Sequence, residues 1–151
     1  ENNTDSQICY TDEIWIRNGA RVNQMNRHRK YTGDIFRHCL ALCIVSPSSV
    51  MIRAKLFSEI GNFDESLPAC EDYDLWLRIA KSGKIFKHIS EPLAESRIGG
   101  ISSKNAKVQY KNLLRVLKKH YLAYYPKTIK VRIYYYIRLF KILLKIFFMK
   151  K

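Results

Sequence analysis

The chain has 151 residues, of which 47% are hydrophobic and 26% are charged. This balance allows a buried core and excludes a disordered composition. The length suits one domain or part of a larger one. The polar start at Glu1 includes no basic stretch followed by an apolar stretch, so we predict no secretory signal and expect a fragment of a longer protein.

The net charge of +14 is concentrated towards the C-terminus. Residues 1–95 carry 12 Lys and Arg against 13 Asp and Glu, whereas residues 96–151 carry 15 Lys and Arg and no acidic residue. A nearly neutral first part is typical of a folded domain. An entirely basic tail favours a polyanionic partner, either anionic lipid headgroups or nucleic acid.

The four cysteines, Cys9, Cys39, Cys43 and Cys70, do not have the spacing of a zinc site. Each lies in an apolar or strand-like context, where a free cysteine behaves as a small hydrophobic residue. We therefore predict buried structural thiols, as expected in a reducing cytosol.

A β-hairpin is predicted near the start of the chain. Short β-type runs cover residues 8–11, 14–17 and 20–23, with Asn18-Gly19 between the last two. This dipeptide is a strong hairpin signal, because both residues tolerate the positive φ of a type I′ turn.

Helices and strands alternate after the hairpin. Gly61 and Gly83 each follow a helical pattern and are expected to end it. Glu91-Pro92 is expected to end the last strand of this part. The predicted elements are a loop at 24–31, helices at 35–40, 54–60 and 72–82, strands at 50–52 and 84–89, and at 43–45 either a strand or a buried approach to a turn at 46–48.

Two amphipathic helices are predicted after residue 104, separated by Pro126. The first has an apolar face made of Val108, Leu113, Leu114, Leu117 and Tyr121. The second, at residues 129–149, has an apolar face made of Ile133, Ile137, Phe140, Leu144 and Phe147, with a stripe of Lys130, Arg138, Lys141 and Lys145 opposite.

The basic residues of the second helix argue against a membrane-spanning segment. A wide apolar face beside a basic stripe favours a helix that lies in a membrane interface. The alternative is a helix packed on another part of the protein. We accordingly divide the chain into residues 1–103 and a basic helical tail at 104–151.

Three carboxylates, Glu71, Asp72 and Asp74, crowd the start of the third predicted helix. Acidic residues there meet the positive end of the helix dipole, a gain of about 0.3–1 kcal/mol each. Asp74 and Arg78 are also four residues apart, which adds about 0.2–0.5 kcal/mol. This structural role explains one or two of the acids. Trp76 indicates that the turn is anchored, and a carboxylate held at a helix start is suited to accept a proton from a bound hydroxyl.

This block resembles the acceptor-side signature of glycosyltransferase family 2. The matching residues are Gly61-x-Phe63-Asp64-Glu65 followed by Glu71-Asp72-Tyr73-Asp74-Leu75-Trp76-Leu77-Arg78. Upstream, residues 46–53 are similar to the preceding segment of that family, and Tyr10-Thr11-Asp12-Glu13 to a strand end near its donor site. Downstream, Gly99-Gly100-Ile101-Ser102 is similar to the loop after its last core strand.

The resemblance implies an α/β architecture, a partial GT-A fold whose mixed, mostly parallel sheet is flanked by helices. Members of the family transfer a sugar from a nucleotide donor to a hydroxyl with inversion, using a divalent metal. By position, Asp72 would be the general base, and Glu71 would contact the acceptor or shape the turn. Trp76 and Arg78 would support the turn.

The donor-binding half of the family, with its Asp-x-Asp metal motif, has no counterpart here. Asp72-Tyr73-Asp74 has that spacing but belongs to the base turn. The resemblance therefore implies Mg²⁺ or Mn²⁺ held mainly by ligands outside this chain, no metal ligand within it, and a fragment that is inactive alone. His88 is expected to be structural, and Asp12 is a candidate for the donor pocket.

The predicted function is transfer of a hexose-type sugar from a nucleotide sugar to a sugar or lipid-linked acceptor, in cell-surface polysaccharide or glycolipid synthesis. The protein would lie in the cytoplasm, peripheral to the inner face of the plasma membrane. The alternative is a catalytically inactive module that binds an anionic membrane surface through its tail.

Nucleic-acid binding is a further alternative. Lys and Arg alternate with Tyr124, Tyr125 and residues 134–136, and such a composition can stack bases. No recognised nucleic-acid module accompanies it, and the same residues suit a lipid headgroup zone. We therefore predict no nucleic-acid partner.

Overall fold

The computed structural model describes residues 6–97, 105–124 and 129–148. Within these residues one four-stranded sheet is flanked by helices. The strands are β1 (Ile8–Arg17), β2 (Ala20–Val22), β3 (Val50–Ile52) and β4 (Phe86–Arg97). The helices are α1 (Phe36–Ala41), α2 (Lys55–Ile60), α3 (Glu71–Lys81), α4 (Ala106–Tyr124) and α5 (Ile129–Phe148), and two short 3₁₀ turns cover Asn26–His28 and Pro47–Ser49.

Strand β1 is the centre of the sheet. Its first residues pair antiparallel with β3 and its last residues pair antiparallel with β2. Strand β4 runs parallel to β1 from the Ile8–Phe86 pair to the Ile16–Arg97 pair. The predicted mixed α/β architecture is confirmed, and one of the three strand pairings among the described residues is parallel.

The predicted hairpin is confirmed. Asn18 and Gly19 have φ values of 51° and 79°, as a type I′ turn requires. The two β-type runs before the turn form one continuous strand, because β4 pairs with β1 from Ile8 to Ile16. The register between the two strands shifts at Asp12 and Glu13, and pairing continues beyond these polar residues.

The prediction that Glu91-Pro92 ends the last strand is wrong, since β4 continues to Arg97. Pro92 lies opposite Asp12, where the register between β1 and β4 shifts. Proline is tolerated at such a bulge, because the ladder is already interrupted there. Pairing resumes at Ala94.

The helices predicted at 35–40, 54–60 and 72–82 agree with α1, α2 and α3 to within one residue at each end. Gly61 directly follows α2 and has a φ of 88°. Gly83 is the second residue after α3 and has a φ of 79°. Residues 43–45 form no strand. Ile44 and Val45 are instead buried on the approach to the 3₁₀ turn.

The core lies between the sheet and helices α1, α3 and α4. Helix α3 is buried along most of its length because apolar residues alternate there at three- and four-residue steps. Helix α4 adds side chains from its predicted apolar face to the same core. Fully buried residues include Tyr10, Phe36, Leu75, Trp76, Phe86, Val116 and Leu117.

Helix α5 packs on this core through Tyr135 and Ile142. Arg138 is half-buried and donates a hydrogen bond to the carbonyl of Leu40 at the end of α1, so it does not belong to a solvent-facing stripe. The apolar face predicted on this helix, Ile133, Ile137, Phe140, Leu144 and Phe147, is exposed.

Some predictions fall outside the described residues: the boundary at 103/104, the segment Gly99–Ser102, Pro126 and the side chain of Lys130. Of the described helices, none combines the length and apolar character that crossing a bilayer requires.

Candidate active site

The candidate site is built on the first turn of α3. Cys70, the residue before the helix, adopts a left-handed conformation with φ 64°. For a residue with a side chain this costs about 1–2 kcal/mol. Backbone strain of this kind concentrates at functional sites. The carbonyl of Cys70 accepts the first helical hydrogen bond from the Asp74 N–H at 3.0 Å, so the strained residue fixes where the carboxylate turn begins.

Asp72 is half-buried and has no cationic partner among the described residues. Its Oδ1 accepts a hydrogen bond of 2.7 Å from the backbone N–H of Tyr73. Burial raises the pKa of the Asp72 carboxyl, the nearby Glu71 adds to the effect, and the backbone hydrogen bond opposes it only in part. A raised pKa makes the ionised carboxylate a stronger base.

Asp74, two residues further along α3, is completely buried, and both of its carboxylate oxygens accept hydrogen bonds. Its Oδ2 accepts from Arg78 Nε at 2.8 Å, and its Oδ1 from His120 Nε2 at 2.8 Å and Lys119 Nζ at 2.9 Å. Burial alone would raise the pKa of Asp74, but the hydrogen bonds from His120, Lys119 and Arg78 outweigh it and hold the pKa far below 3.8. Asp74 therefore stays ionised and joins α3 to α4.

Arg78 extends this network to the end of α2. Its guanidinium donates to the backbone carbonyls of Ile60 at 2.8 Å and Asn62 at 2.6 Å. The Trp76 side chain lies within the core, and its indole N–H has no partner among the described residues. Trp76 and Arg78 lie on the same helix as the carboxylate turn. The supporting role assigned to them stays a prediction.

Glu71 is half-buried at the first position of α3, and within the described part of the chain it forms no ion pair. Its carboxylate is close enough to Asp72 to contribute to the raised pKa of that residue. The predicted contact with an acceptor stays a prediction.

Asp12 lies on β1 at the irregularity opposite β4. Its Oδ1 is 2.9 Å from His88 Nε2, and the side chain remains 40% exposed. The backbone N–H of His88 donates to Thr32. Asp12 and His88 thus form a pair across the two parallel strands, and the assignment of Asp12 to a donor pocket stays a prediction.

The described residues bring together no group of three or more His, Cys, Asp or Glu side chains suited to hold a metal ion. The four cysteines are free thiols. Burial raises the pKa of Cys39 to about 12 and that of Cys70 to about 11, so both are protonated at neutral pH and unsuited to act as nucleophiles.

A buried ion pair was not anticipated from the sequence. Lys30 Nζ lies 2.6 Å from the carbonyl of Thr11 and 3.2 Å from Glu13 Oε1, and Ser49 Oγ donates to the same oxygen at 2.8 Å. Trp15 Nε1 donates to Glu13 Oε2 at 3.0 Å. Burial raises the pKa of Glu13, but the charge of Lys30 and these hydrogen bonds outweigh it and lower the pKa below 4.5.

The sequence predicted a polar loop around Lys30. It did not predict the ion pair, because the partners of Lys30 and Glu13 are distant in the chain. Glu13 is 17 residues from Lys30 and 36 from Ser49. Residue spacing carries no information at such separations. The one local signal was an acidic residue inside the β-type part of the chain.

A family model described as "Glycosyltransferase like family 2" matches residues 14–139. The match includes the carboxylate turn, helix α4 and the first half of α5.

Several rickettsial proteins are similar to parts of this chain. A protein of Rickettsia prowazekii named as an uncharacterized glycosyltransferase is 36% identical over 85 residues, which cover 56% of this chain and 26% of that protein. An uncharacterized glycosyltransferase of Rickettsia felis is 42% identical over 50 residues, which cover 33% of this chain and 8% of that protein. The chain thus spans about a quarter or less of the relatives it matches. Because the family model covers most of the sequence, the chain belongs to the glycosyltransferase-like family 2.

Proposed function

We propose that this chain carries the acceptor-side catalytic part of an inverting glycosyltransferase, with Asp72 as the general base. Membership of the family supports glycosyl transfer. The contrast between two carboxylates supports the choice of residue. Among the described residues Asp72 has no cationic partner and its pKa is raised, whereas Asp74 accepts hydrogen bonds from Arg78, Lys119 and His120 and its pKa is lowered. Neighbouring acids whose pKa values are driven apart are typical of sites with separate acid–base roles.

In the proposed reaction Asp72 accepts the proton of an acceptor hydroxyl while that oxygen attacks the anomeric carbon of the donor sugar. The new carbon–oxygen bond forms on the face opposite the bond to the nucleotide phosphate, so the anomeric configuration inverts. The electron pair of the broken bond leaves with the nucleotide, and the proton remains on Asp72. Positioned proton transfer of this kind contributes about 10²–10⁴ in rate.

The side chains around Asp72 keep the base in place. Arg78 and Asp74 hold the start of α3 against the end of α2 and against α4. Trp76 fixes the helix in the core. We propose that Glu71, which is more accessible than Asp74, contacts the acceptor or shapes the turn around it.

The donor and the metal are also proposals. We infer a nucleotide-sugar donor of hexosyl type, with Asp12 at the edge of its pocket, and a divalent cation, Mg²⁺ or Mn²⁺, bound mainly by residues outside this chain. The described residues include no three-ligand cluster, and no step above depends on the metal. This chain alone would then transfer no sugar.

The test is sugar transfer by the full-length protein, measured as labelled sugar moved from nucleotide sugars to the membrane fraction of the source cells. Asp72→Asn should lower turnover by about 10²–10⁴ with donor binding unchanged. Glu59→Gln, which changes a carboxylate on α2 that pairs with Lys84, is the control and should retain turnover. Near-normal turnover of Asp72→Asn would remove this assignment.

We further propose that α5 binds an anionic membrane surface, which would hold the protein at the cytoplasmic face of the plasma membrane, near lipid-linked acceptors of cell-surface polysaccharide or glycolipid synthesis. Among the side chains that the structure describes, eight large ones are exposed on the side of α5 that faces away from the core. They are Ile133, Tyr136, Ile137, Phe140, Leu143, Leu144, Phe147 and Phe148.

The charge around this exposed face favours lipid as its partner. Lys141 and Lys145 are exposed on the same helix, and residues 96–151 contain no acidic side chain. Burial of the apolar face of the helix at the boundary between headgroups and acyl chains favours membrane binding. Each basic residue near an anionic membrane surface adds about 1 kcal/mol to the binding free energy.

Cosedimentation with vesicles of phosphatidylcholine, with and without phosphatidylglycerol, tests this proposal. The chain should bind the anionic vesicles and dissociate as salt rises. Phe140→Asp should weaken binding about tenfold or more, and Met51→Asp, which changes an exposed apolar residue on β3, should not. Equal binding by both variants would exclude α5 as the membrane-binding element.

A further inference from the structure

A polar cavity of about 200 Å³ lies beside β1, at the buried Glu13–Lys30 pair. It is smaller than the pockets that hold drug-sized ligands, which measure about 300–1,000 Å³. Its size suits a single small ring. The residues that matter for recognition are Glu13, Trp15, Gln24, His28, Lys30 and Ser46.

The carboxylate of Glu13 is fixed and keeps acceptor capacity. A carboxylate offers about four acceptor positions. Lys30 and Ser49 occupy two at Oε1, and Trp15 occupies one at Oε2. One position at Oε2 remains for a ligand hydroxyl. Because the Glu13 side chain is 6% exposed, a hydrogen bond made there is shielded from water.

Trp15 supplies an aromatic surface with a fixed orientation. Its indole N–H is held by Glu13, and the His28 ring packs against it with centroids 4.7 Å apart and planes at 67°. Gln24 Nε2 donates to the Glu13 carbonyl at 3.1 Å, which leaves the amide oxygen of Gln24 without a partner among the described residues. An aromatic face beside fixed polar groups suits a ring with an apolar C–H face and hydroxyl groups at its edge.

One wall of the cavity is linked through the end of α1 to the turn that carries Asp72. Tyr73 donates its hydroxyl to the carbonyls of Cys39 at 2.9 Å and Leu40 at 3.1 Å, which fixes the end of α1 against the start of α3. The chain then continues directly into residues 43–46, which form one wall of the cavity. Cys43, in that wall, is close enough for the charge of Asp72 to contribute to its raised pKa, after burial and Cys39.

We propose that this cavity binds one sugar unit of the acceptor, with the sugar ring against Trp15 and its hydroxyls hydrogen-bonded to Glu13 and Gln24. This proposal rests on the proposed glycosyl transfer. It identifies the acceptor as a carbohydrate that binds next to the segment following α1.

The experiment follows the two tryptophan indole N–H signals of the ¹⁵N-labelled 151-residue chain during titration with methyl hexosides and methyl N-acetylhexosaminides. Trp15 lines the cavity and Trp76 lies in the core, so Trp76 serves as an internal control for folding and for non-specific effects. The Trp15 signal should move to saturation with a Kd of about 1 mM for at least one glycoside while the Trp76 signal stays still.

Gln24→Ala and Asn23→Ala form the matched pair of variants, because both side chains are amides in the same loop and only Gln24 lines the cavity. Gln24→Ala should weaken binding about fivefold or more, and Asn23→Ala should not. Glycoside binding is measured without donor and without turnover, so its outcome does not depend on which carboxylate acts as the base. Absence of a saturable Trp15 shift, equal shifts of both indoles, or equal effects of the two loop variants would overturn the proposal.

Discussion

The buried carboxylate Asp74 provides the sharpest test of how this structure is held together. Asp74→Asn keeps the volume of the side chain and removes its charge. Arg78 and Lys119 retain access to water, since they are 20% and 47% exposed, but His120 is 4% exposed and would face a neutral amide instead of a carboxylate in the core. Removing one member of a buried ionic network costs about 3–5 kcal/mol. The exposed cations favour the lower end of that range.

The assay is urea unfolding of the wild type and the variant. A loss of about 3 kcal/mol with an m-value of about 2 kcal/mol/M moves the midpoint down by about 1.5 M. The melting temperature should fall by about 6–12 °C for a chain of this size. The control is Asp64→Asn, because Asp64 pairs with the same Lys119 from a half-buried loop position outside the core. We expect a clearly smaller loss of stability in that variant.

The network also predicts how stability depends on pH. The folded-state pKa of Asp74 lies well below its ordinary value of 3.8, so its contribution is fully present above about pH 4 and is lost as the pH falls through the folded-state pKa. Between pH 4 and the folded-state pKa, the wild type should lose stability more steeply than Asp74→Asn. An Asp74→Asn variant as stable as Asp64→Asn at pH 7 would refute the network argument.

Three further predictions concern other parts of the chain. Asp72→Asn should raise the urea midpoint at pH 7, because a carboxyl whose pKa is raised in the folded state destabilises the fold once it is ionised. A lower midpoint would show that Asp72 has a structural role. Leu117→Ala should cost about 2–5 kcal/mol by the same measurement, whereas the exposed Leu143→Ala should change little; equal effects would mean that α4 is not part of the core. Gly19→Ala should cost about 1–2 kcal/mol from backbone strain alone, since φ is +79° and no atom lies within 4 Å of the new methyl group, and an unchanged midpoint would contradict the turn.

The sequence determined the local structure because the relevant interactions are short in range. Asn18-Gly19 specified the hairpin turn, and Gly61 and Gly83 marked the ends of α2 and α3, since positive φ is a property of the residue itself. The cluster of acids at the start of α3 and the basic C-terminal region were likewise visible in the sequence. The α/β architecture and the choice of the Asp72 turn came from the resemblance of residues 61–78 to glycosyltransferase family 2.

The tertiary structure decided what each charged side chain does. Spacing in the sequence pairs Asp74 with Arg78 but does not show that Asp74 is buried. Lys119 and His120, on α4, also reach Asp74 and not Asp72, and His120 is 46 residues away in sequence. The Glu13–Lys30 pair and the cavity beside it depend on contacts over similar separations. The extension of β4 past Pro92 depends on its pairing with β1. Burial and pairing set the free energy of a charge, and both depend on segments that the local sequence does not specify.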